Sequence, residues 1–347
     1  MTSVFNPFRM PEAQPVNNYI QESAYWLQRY KLVINDTHAK CIASVGAEYI
    51  ANCYPAIKPY QAQDLIDFAS WVCILDDFIE RESLTEDISQ LMIFLNVVRY
   101  VCEEPNYARP SDFAFFKDCC LTKALVDIKS RIKTWASPSQ VHNLMTSLSH
   151  FISGLGWETS LRACGGPPDL NTFCAMRTNN GGMYMANALA KCVNNIELSN
   201  AEQADPIIQV ITKSILFVLV LDNDIYSYNK ELSSGLPYSN IIDVFQLEYP
   251  ESDKQNPLSR TVELRNQCLM CYLALRTKYP YNSEKLSLYF QGLEDIISGN
   301  LVFGNSNERY KVSDIDAPEL TVSKTFEKNI FPPDNIPSIA WWWSFLE

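Results

Sequence analysis

The stretch SILFVLVLDNDIYSYNKE, residues 214 to 231, decides the reading of this chain. Its apolar first half is followed without a breaker by a polar second half, so one helix spans both. Residues four apart stack on one helix face. Leu216 and Leu219 therefore lead, on that face, into Asn223, Ser227 and Glu231. An apolar stripe that turns into a row of oxygen donors needs water or a cation to face.

A second helix repeats the arrangement. In QDLIDFASWVCILDDFIE, residues 63 to 80, Leu65, Phe68, Ala69 and Val72 keep the i, i+3, i+4, i+7 spacing of a buried face. Asp76 and Glu80 continue that stripe, with Asp77 beside them. Burying unpaired carboxylates is costly, so they must be solvated, neutralised or bound to cations. Both donor rows are hard oxygens without His or Cys, which favours Mg²⁺ or Mn²⁺ over zinc.

Helical periodicity extends to residues 16–34, 88–104, 139–162 and 261–279. Breaks fall where Gly, Pro and Asn cluster, at YPAIKPY, EEPNYARPSD, CGGPPDLN, SSGLPYSN and DKQNPLS. These breaks predict an all-α bundle of about ten helices, and no repeat is present. The stretch from residue 311 to 347 is rich in proline and aromatics, and is expected to form an irregular tail packed on the helices.

Composition narrows the function. Hydrophobic residues make up 47% of the 347 and charged residues 20%, an ordinary globular balance. A net charge of −12 argues against nucleic acid as a partner. It also makes an anionic substrate unwelcome unless bound metal inverts the local field. No run of eighteen apolar residues reads as a membrane span, and the first residues do not read as a secretory signal. A soluble, intracellular and therefore cytoplasmic protein is the expectation. The eleven cysteines lie mostly in apolar surroundings, and the pair Cys268 and Cys271 reads as core packing within a helix. His38, His142 and His150 lie near no other obvious ligand and read as structural or surface residues.

DDFIE, residues 76 to 80, resembles the aspartate-rich motif of class I terpene synthases, and NDIYSYNKE, residues 223 to 231, resembles their second metal motif. Arg177 stands where that family places a diphosphate-sensing arginine, and Arg309 with Tyr310 matches its late Arg-Tyr pair, which hydrogen-bonds the diphosphate. Lys230 matches a further basic contact. The resemblance covers about residues 15 to 310, leaving 1–14 as an N-terminal segment and 311–347 as the tail. It implies a single α domain with a central cavity and a lyase chemistry. A prenyl diphosphate, most simply farnesyl diphosphate, would ionise with three Mg²⁺ (or Mn²⁺), and the carbocation would cyclise, leaving inorganic diphosphate. Asp76, Asp77, Glu80, Asn223, Ser227 and Glu231 are the implied metal ligands.

The chain departs from the family pattern at several points. Glu80 stands where Asp is common. Asn180 stands where an Asp often partners the sensing arginine, so that contact would be a hydrogen bond without an ion pair. Gly181 falls at the family's helix break, where a backbone carbonyl faces the reacting carbon, and glycine suits a break because it tolerates unusual dihedrals. Phe303 replaces a frequent Trp; it and Trp71 are the aromatic candidates for a cation-stabilising cavity wall, although core packing is the commoner role for any single aromatic. Two other readings compete. A chain-elongating prenyl diphosphate synthase generally has two aspartate-rich motifs, which this chain lacks. A catalytically silent helical prenyl-binding protein would have little need of both metal motifs and the basic trio. Oligomeric state stays open, although helical domains of this type often pair as homodimers.

Overall fold

The computed structural model describes residues 2–12, 15–82, 87–103, 119–235, 238–250, 256–311, 320–327 and 329–347. Much of the predicted break EEPNYARPSD lies outside the described residues, as do parts of SSGLPYSN and DKQNPLS and the start of the tail.

The first half of the chain holds α1 (Asn17–Arg29), α2 (Asp36–Cys53), α3 (Pro59–Glu82), α4 (Ile88–Glu103), α5 (Cys120–Ile132) and α6 (Pro138–Ala163). Then follow α7 (Leu170–Asn180), α8 (Met183–Val193), α9 (Asn200–Ala204), α10 (Pro206–Ser234), α11 (Ile241–Glu248), α12 (Pro257–Lys278), α13 (Glu284–Ser306) and α14 (Pro337–Ala340). Local chemistry sets several of these starts. Ser137 and Gln140 form a reciprocal capping box at α6, and Asp205 accepts from Ile207 and Ile208 ahead of Pro206 at α10.

The all-α expectation holds, but fourteen helices are found among the described residues rather than about ten. Two of the additions, α9 and α14, are about one turn long, too short to leave a periodic signal. Another arises because Gly181 and Gly182 divide what would be a single helix into α7 and α8.

Helix α10 is the apolar axis of the bundle, packed on α12, α13, α8 and α7. By length and composition it could cross a membrane, but most of its apolar window is buried inside the fold, which accounts for that composition. Trp71, Phe68, Phe217, Phe290 and Tyr289 are among the largest fully buried side chains.

Two short strands, β1 (Thr2–Phe5) and β2 (Leu320–Ser323), pair in parallel with Thr2 opposite Leu320. Phe5 N–H donates to Asn266 Oδ1 at 2.9 Å, and the Arg265 guanidinium donates to the Phe5 carbonyl. Val4 is fully buried against Ile225, Tyr226, Val262 and Leu301. The tail is accordingly more regular than expected. It contributes β2 and α14, and Trp342 packs edge-on against Phe217 of α10 with ring centroids 5.7 Å apart.

Candidate active site

A cavity of about 210 Å³ opens between α2, α3, α6, α8, α10 and α13. Asp76 and Glu80 reach it from α3, and Asn223, Ser227 and Glu231 from α10. The two rows of oxygen donors predicted from the helical spacing therefore share one hollow. Lys230, Arg309 and Tyr310 line the same end, and Arg177, Asn180 and Gly181 close it from the α7–α8 break. Further along α3 and α10 the lining turns apolar, with Phe68, Ala69, Val72 and Leu219; Leu189 and Phe303 join them.

Asp77 is placed differently from its neighbours. It is absent from the cavity wall and is gripped at both oxygens by Arg309, Nη2 to Oδ1 at 2.7 Å and Nη1 to Oδ2 at 3.2 Å. Lys230 Nζ lies 3.3 Å from Glu80 Oε2 and 3.5 Å from Asp77 Oδ1. Burial pushes the Asp77 carboxyl up, but Arg309 and Lys230 outweigh it and hold the group below the usual carboxylate range. Asp76 has no such clamp among the described residues, and burial, reinforced by Glu80, raises it to about 7. Burial, with Asp224 next, likewise raises Glu231 to about 7.

These raised carboxylates are where a cation would be most stabilising. Ser227 Oγ is buried and makes no well-formed hydrogen bond among the described residues, although it lies close enough to Glu231 to favour that carboxylate's charged form. Among the described residues no three His, Cys, Asp or Glu converge closely enough to hold a metal ion by themselves. Each row is thus a partial set that suits a hard divalent cation whose remaining ligands are waters or substrate oxygens.

Arg177 is 8% exposed and makes three contacts. Its Nη1 donates to Asn180 Oδ1 at 3.3 Å and its Nη2 to Asn223 Oδ1 at 3.4 Å; Nη2 also pairs with Asp224. The ion pair missing at position 180 is therefore supplied by Asp224. Asn180 Nδ2 turns away to donate to Glu158, which pairs with Arg162, and Arg162 Nη2 donates to Ser239 Oγ at 2.8 Å. Asn240 Nδ2 donates both to Glu231 Oε2 at 2.8 Å and to the Asp224 carbonyl at 2.7 Å, fastening the start of α11 to the second motif.

None of Asp224, Glu158, Arg162, Asn240 and Asp222 was picked out from the sequence. The acids flanking Asn223 carried a signal. Successive helix positions differ by about 100°, so in a helix buried all round each acid must face its own partner. Asp222 meets Arg265 at 2.9 Å, with both side chains fully buried. The cations come from α7 and α12, and that pairing is what the sequence does not reveal.

One expectation is corrected and one alternative is decided. Gly181 has an ordinary φ of −76°, and the left-handed residue is Gly182 at +74°. Glycine is needed at 181 for space: an added Cβ would lie 2.6 Å from a Val220 methyl and 2.7 Å from the Arg177 carbonyl. Trp71 lies outside the cavity, fully buried, with Nε1 donating to the Leu121 carbonyl at 2.9 Å, so it is core. Phe303 does line the cavity, set edge-on to Tyr49 at 5.5 Å and to Tyr310 at 5.7 Å. The Asn223 amide donates to the Tyr310 hydroxyl at 3.3 Å.

Comparison with known proteins agrees with this geometry. The chain is 26% identical over 340 residues to diterpene cyclase DtcycB of a Streptomyces species, covering 96% of this chain and 94% of that one. It is 25% identical to the 4-epi-cubebol synthase of Streptosporangium roseum, described as farnesyl diphosphate cyclizing, over 88% of this chain and 91% of that one. The fold superposes with a TM-score of 0.80 on a variant of SVS_A2, a protein from ancestral sequence reconstruction, at 22% identity, covering 99% and 98% of the two chains. The family model "Terpene synthase family 2, C-terminal metal binding" matches residues 67–269, a span that runs from α3 to α12 and takes in both donor rows. With more than half of its length so matched, the chain belongs to terpene synthase family 2.

Proposed function

We propose that the chain is a class I terpene synthase that ionises farnesyl diphosphate and cyclises the resulting carbocation, with three Mg²⁺ as its metal complement. One observation carries this reading: two oxygen-donor rows and a basic trio meet at one end of a cavity whose other end is apolar. An acidic protein can thus accept an anion, because the anion and its counter-cations arrive at the same place.

Asp76 and Glu80 on one side and Asn223, Ser227 and Glu231 on the other would hold the metal, which when bound supplies positive charge to the diphosphate oxygens. Arg177 and Arg309 bring planar forks suited to phosphate, and Lys230 adds a point charge. Lys230 and Arg309 relinquish part of their hold on Asp77 and Glu80 to reach the leaving group, and Tyr310 donates beside them. As the carbon–oxygen bond breaks, negative charge grows on the diphosphate, and these preplaced donors favour that state over the ground state. Gly181 ends α7 at the cavity wall, where its carbonyl can face the reacting carbon. Phe303 and the aliphatic wall shield the cation from bulk water, and a ring face stabilises positive charge. All eleven cysteines are free thiols, which suits a reducing, cytoplasmic setting.

The test is purified protein with Mg²⁺ and geranyl, farnesyl or geranylgeranyl diphosphate, one at a time, with volatiles identified by gas chromatography and mass spectrometry. A cyclic C15 product from farnesyl diphosphate alone is expected. A requirement for isopentenyl diphosphate would replace this reading with chain elongation, and binding without diphosphate release would replace it with a silent binding protein. Turnover confined to the twenty-carbon substrate would keep the reaction and change the substrate.

A further inference from the structure

Among the described residues three carboxamides line the cavity, and two of them are bonded. Asn180 and Asn223 exchange hydrogen bonds with Arg177, Glu158 and Tyr310 at the polar end. Asn300 is the third. It is 5% exposed, and its Nδ2 is buried without a hydrogen-bond partner among the described residues. Position 300 is one turn before Phe303 on α13, so the two side chains share a face. The helix runs on to Ser306, which at 1.5 Å per residue sets Asn300 roughly 9 Å deeper than the helix end that leads into Arg309 and Tyr310. The amide therefore lies one turn deeper along α13 than Phe303, whose ring meets Tyr310 at 5.7 Å.

An unpaired buried amide is destabilising, and leucine of nearly the same shape would fill the position without that penalty. A hydrocarbon chain offers the amide no hydrogen bond. Water does, and an amide with two donors and an acceptor suits it. The cavity, at about 210 Å³, has room for it beside part of a folded chain.

We propose that Asn300 seats the water that ends the reaction, so that the product is a terpene alcohol. The inference rests on the terpene synthase reading above. Water donates a lone pair to the cationic carbon and a carbon–oxygen bond forms. The resulting oxonium loses one proton, which passes to the released diphosphate, the base that the reaction itself supplies. Substrate and one water thus give alcohol and protonated diphosphate, with no oxidant or reductant involved. Asn300 touches the attacking water and decides between capture by water and loss of a proton from carbon.

The experiment runs the holoenzyme with Mg²⁺ and the accepted prenyl diphosphate in H₂¹⁸O, measuring diphosphate release alongside the volatiles. The expected main product is an alcohol carrying one ¹⁸O. Asn300→Leu should shift the alcohol-to-hydrocarbon ratio towards hydrocarbon by about tenfold or more, read per diphosphate released, with melting temperature not lowered. A merely structural asparagine would lower stability and leave the ratio alone. If leucine is not accommodated, Asn300→Ala supplies the same reading. A wild-type product that is all hydrocarbon overturns the proposal with no variant needed, as does an Asn300 variant with an unchanged alcohol share. Failure of wild-type protein to release diphosphate from any prenyl diphosphate overturns the enzyme reading itself, a result that differs from release with hydrocarbon products.

Discussion

Arg177 on α7 and Asp224 on α10 form a buried ion pair across the wall of the cavity, with side-chain exposures of 9% and 0%. It supplies the charge that Asn180 does not. Breaking a buried pair strands the remaining charge, at a cost of about 3 to 5 kcal/mol. Asp224→Asn should therefore lower stability on that scale, read by urea unfolding, and reduce turnover at least about tenfold because Arg177 is no longer aimed.

Restoring the acid that the family often carries should fail here. Asn180 donates to Glu158, so Asn180→Asp sets two carboxylates against each other. Diphosphate release is expected to fall by about tenfold. The double variant Asn180→Asp with Glu158→Gln exchanges donor and acceptor and should recover most of it. A single variant as active as wild type would show that this bond is immaterial.

Asp76→Asn, Asn223→Ala and Glu231→Gln should each cut turnover by about 10² or more while leaving helical circular dichroism intact. Raising the Mg²⁺ concentration should return part of the activity of each variant, and a chelator should abolish that of the wild type. Undiminished turnover would remove the metal assignment from that residue.

The closeness of Gly181 to Val220 makes a packing prediction. Gly181→Ala should destabilise by about 1 to 3 kcal/mol, because the methyl meets a branched side chain and backbone that cannot retreat. Adding Val220→Ala should restore part of that loss, measured by thermal unfolding.

Asp67 makes a pH prediction away from the cavity. It is buried beside Arg131 at 2.9 Å, and burial lifts its carboxyl to about 6 despite the pair. The folded value lies above the unfolded one, so the folded chain holds this proton where the unfolded chain has lost it. Its contribution is fully present below about pH 4 and lost as the pH rises past 6. Asp67→Asn should therefore gain stability relative to wild type across that window, by about 2 to 3 kcal/mol at most. Parallel pH-dependent melting curves for the two proteins would contradict this.

Where the sequence was informative, the reason was periodic burial. The four-residue spacing of Asn223, Ser227 and Glu231 and of Asp76 and Glu80 put each row on the face that the preceding apolar residues had already turned inward, and both rows reach the cavity. Arg177 and Arg309 were legible only by resemblance, since nothing local separates a site arginine from a surface one. What stayed hidden were partners distant in sequence. Asp224 finds Arg177 and Asp222 finds Arg265 through packing of α10 on α7 and α12, which spacing along one helix does not encode. Gly181 was singled out for its dihedral freedom, yet a neighbouring side chain, and not φ, is what demands it. Trp71 shows the converse: an aromatic five residues before Asp76 faces away from it, because five steps of about 100° along a helix leave the two side chains roughly 140° apart.

The parallel pairing of Thr2–Phe5 with Leu320–Ser323 joins segments more than three hundred residues apart. During synthesis the first of these segments leaves the ribosome long before the second exists. Arg265, which holds the Phe5 carbonyl while gripping Asp222 next to the second donor row, has emerged by then, but the ladder itself is still incomplete. The ladder thus closes only once residue 323 has been made, whereas the docking of Val4 and Phe5 on Val262, Arg265 and Asn266 needs nothing beyond α12.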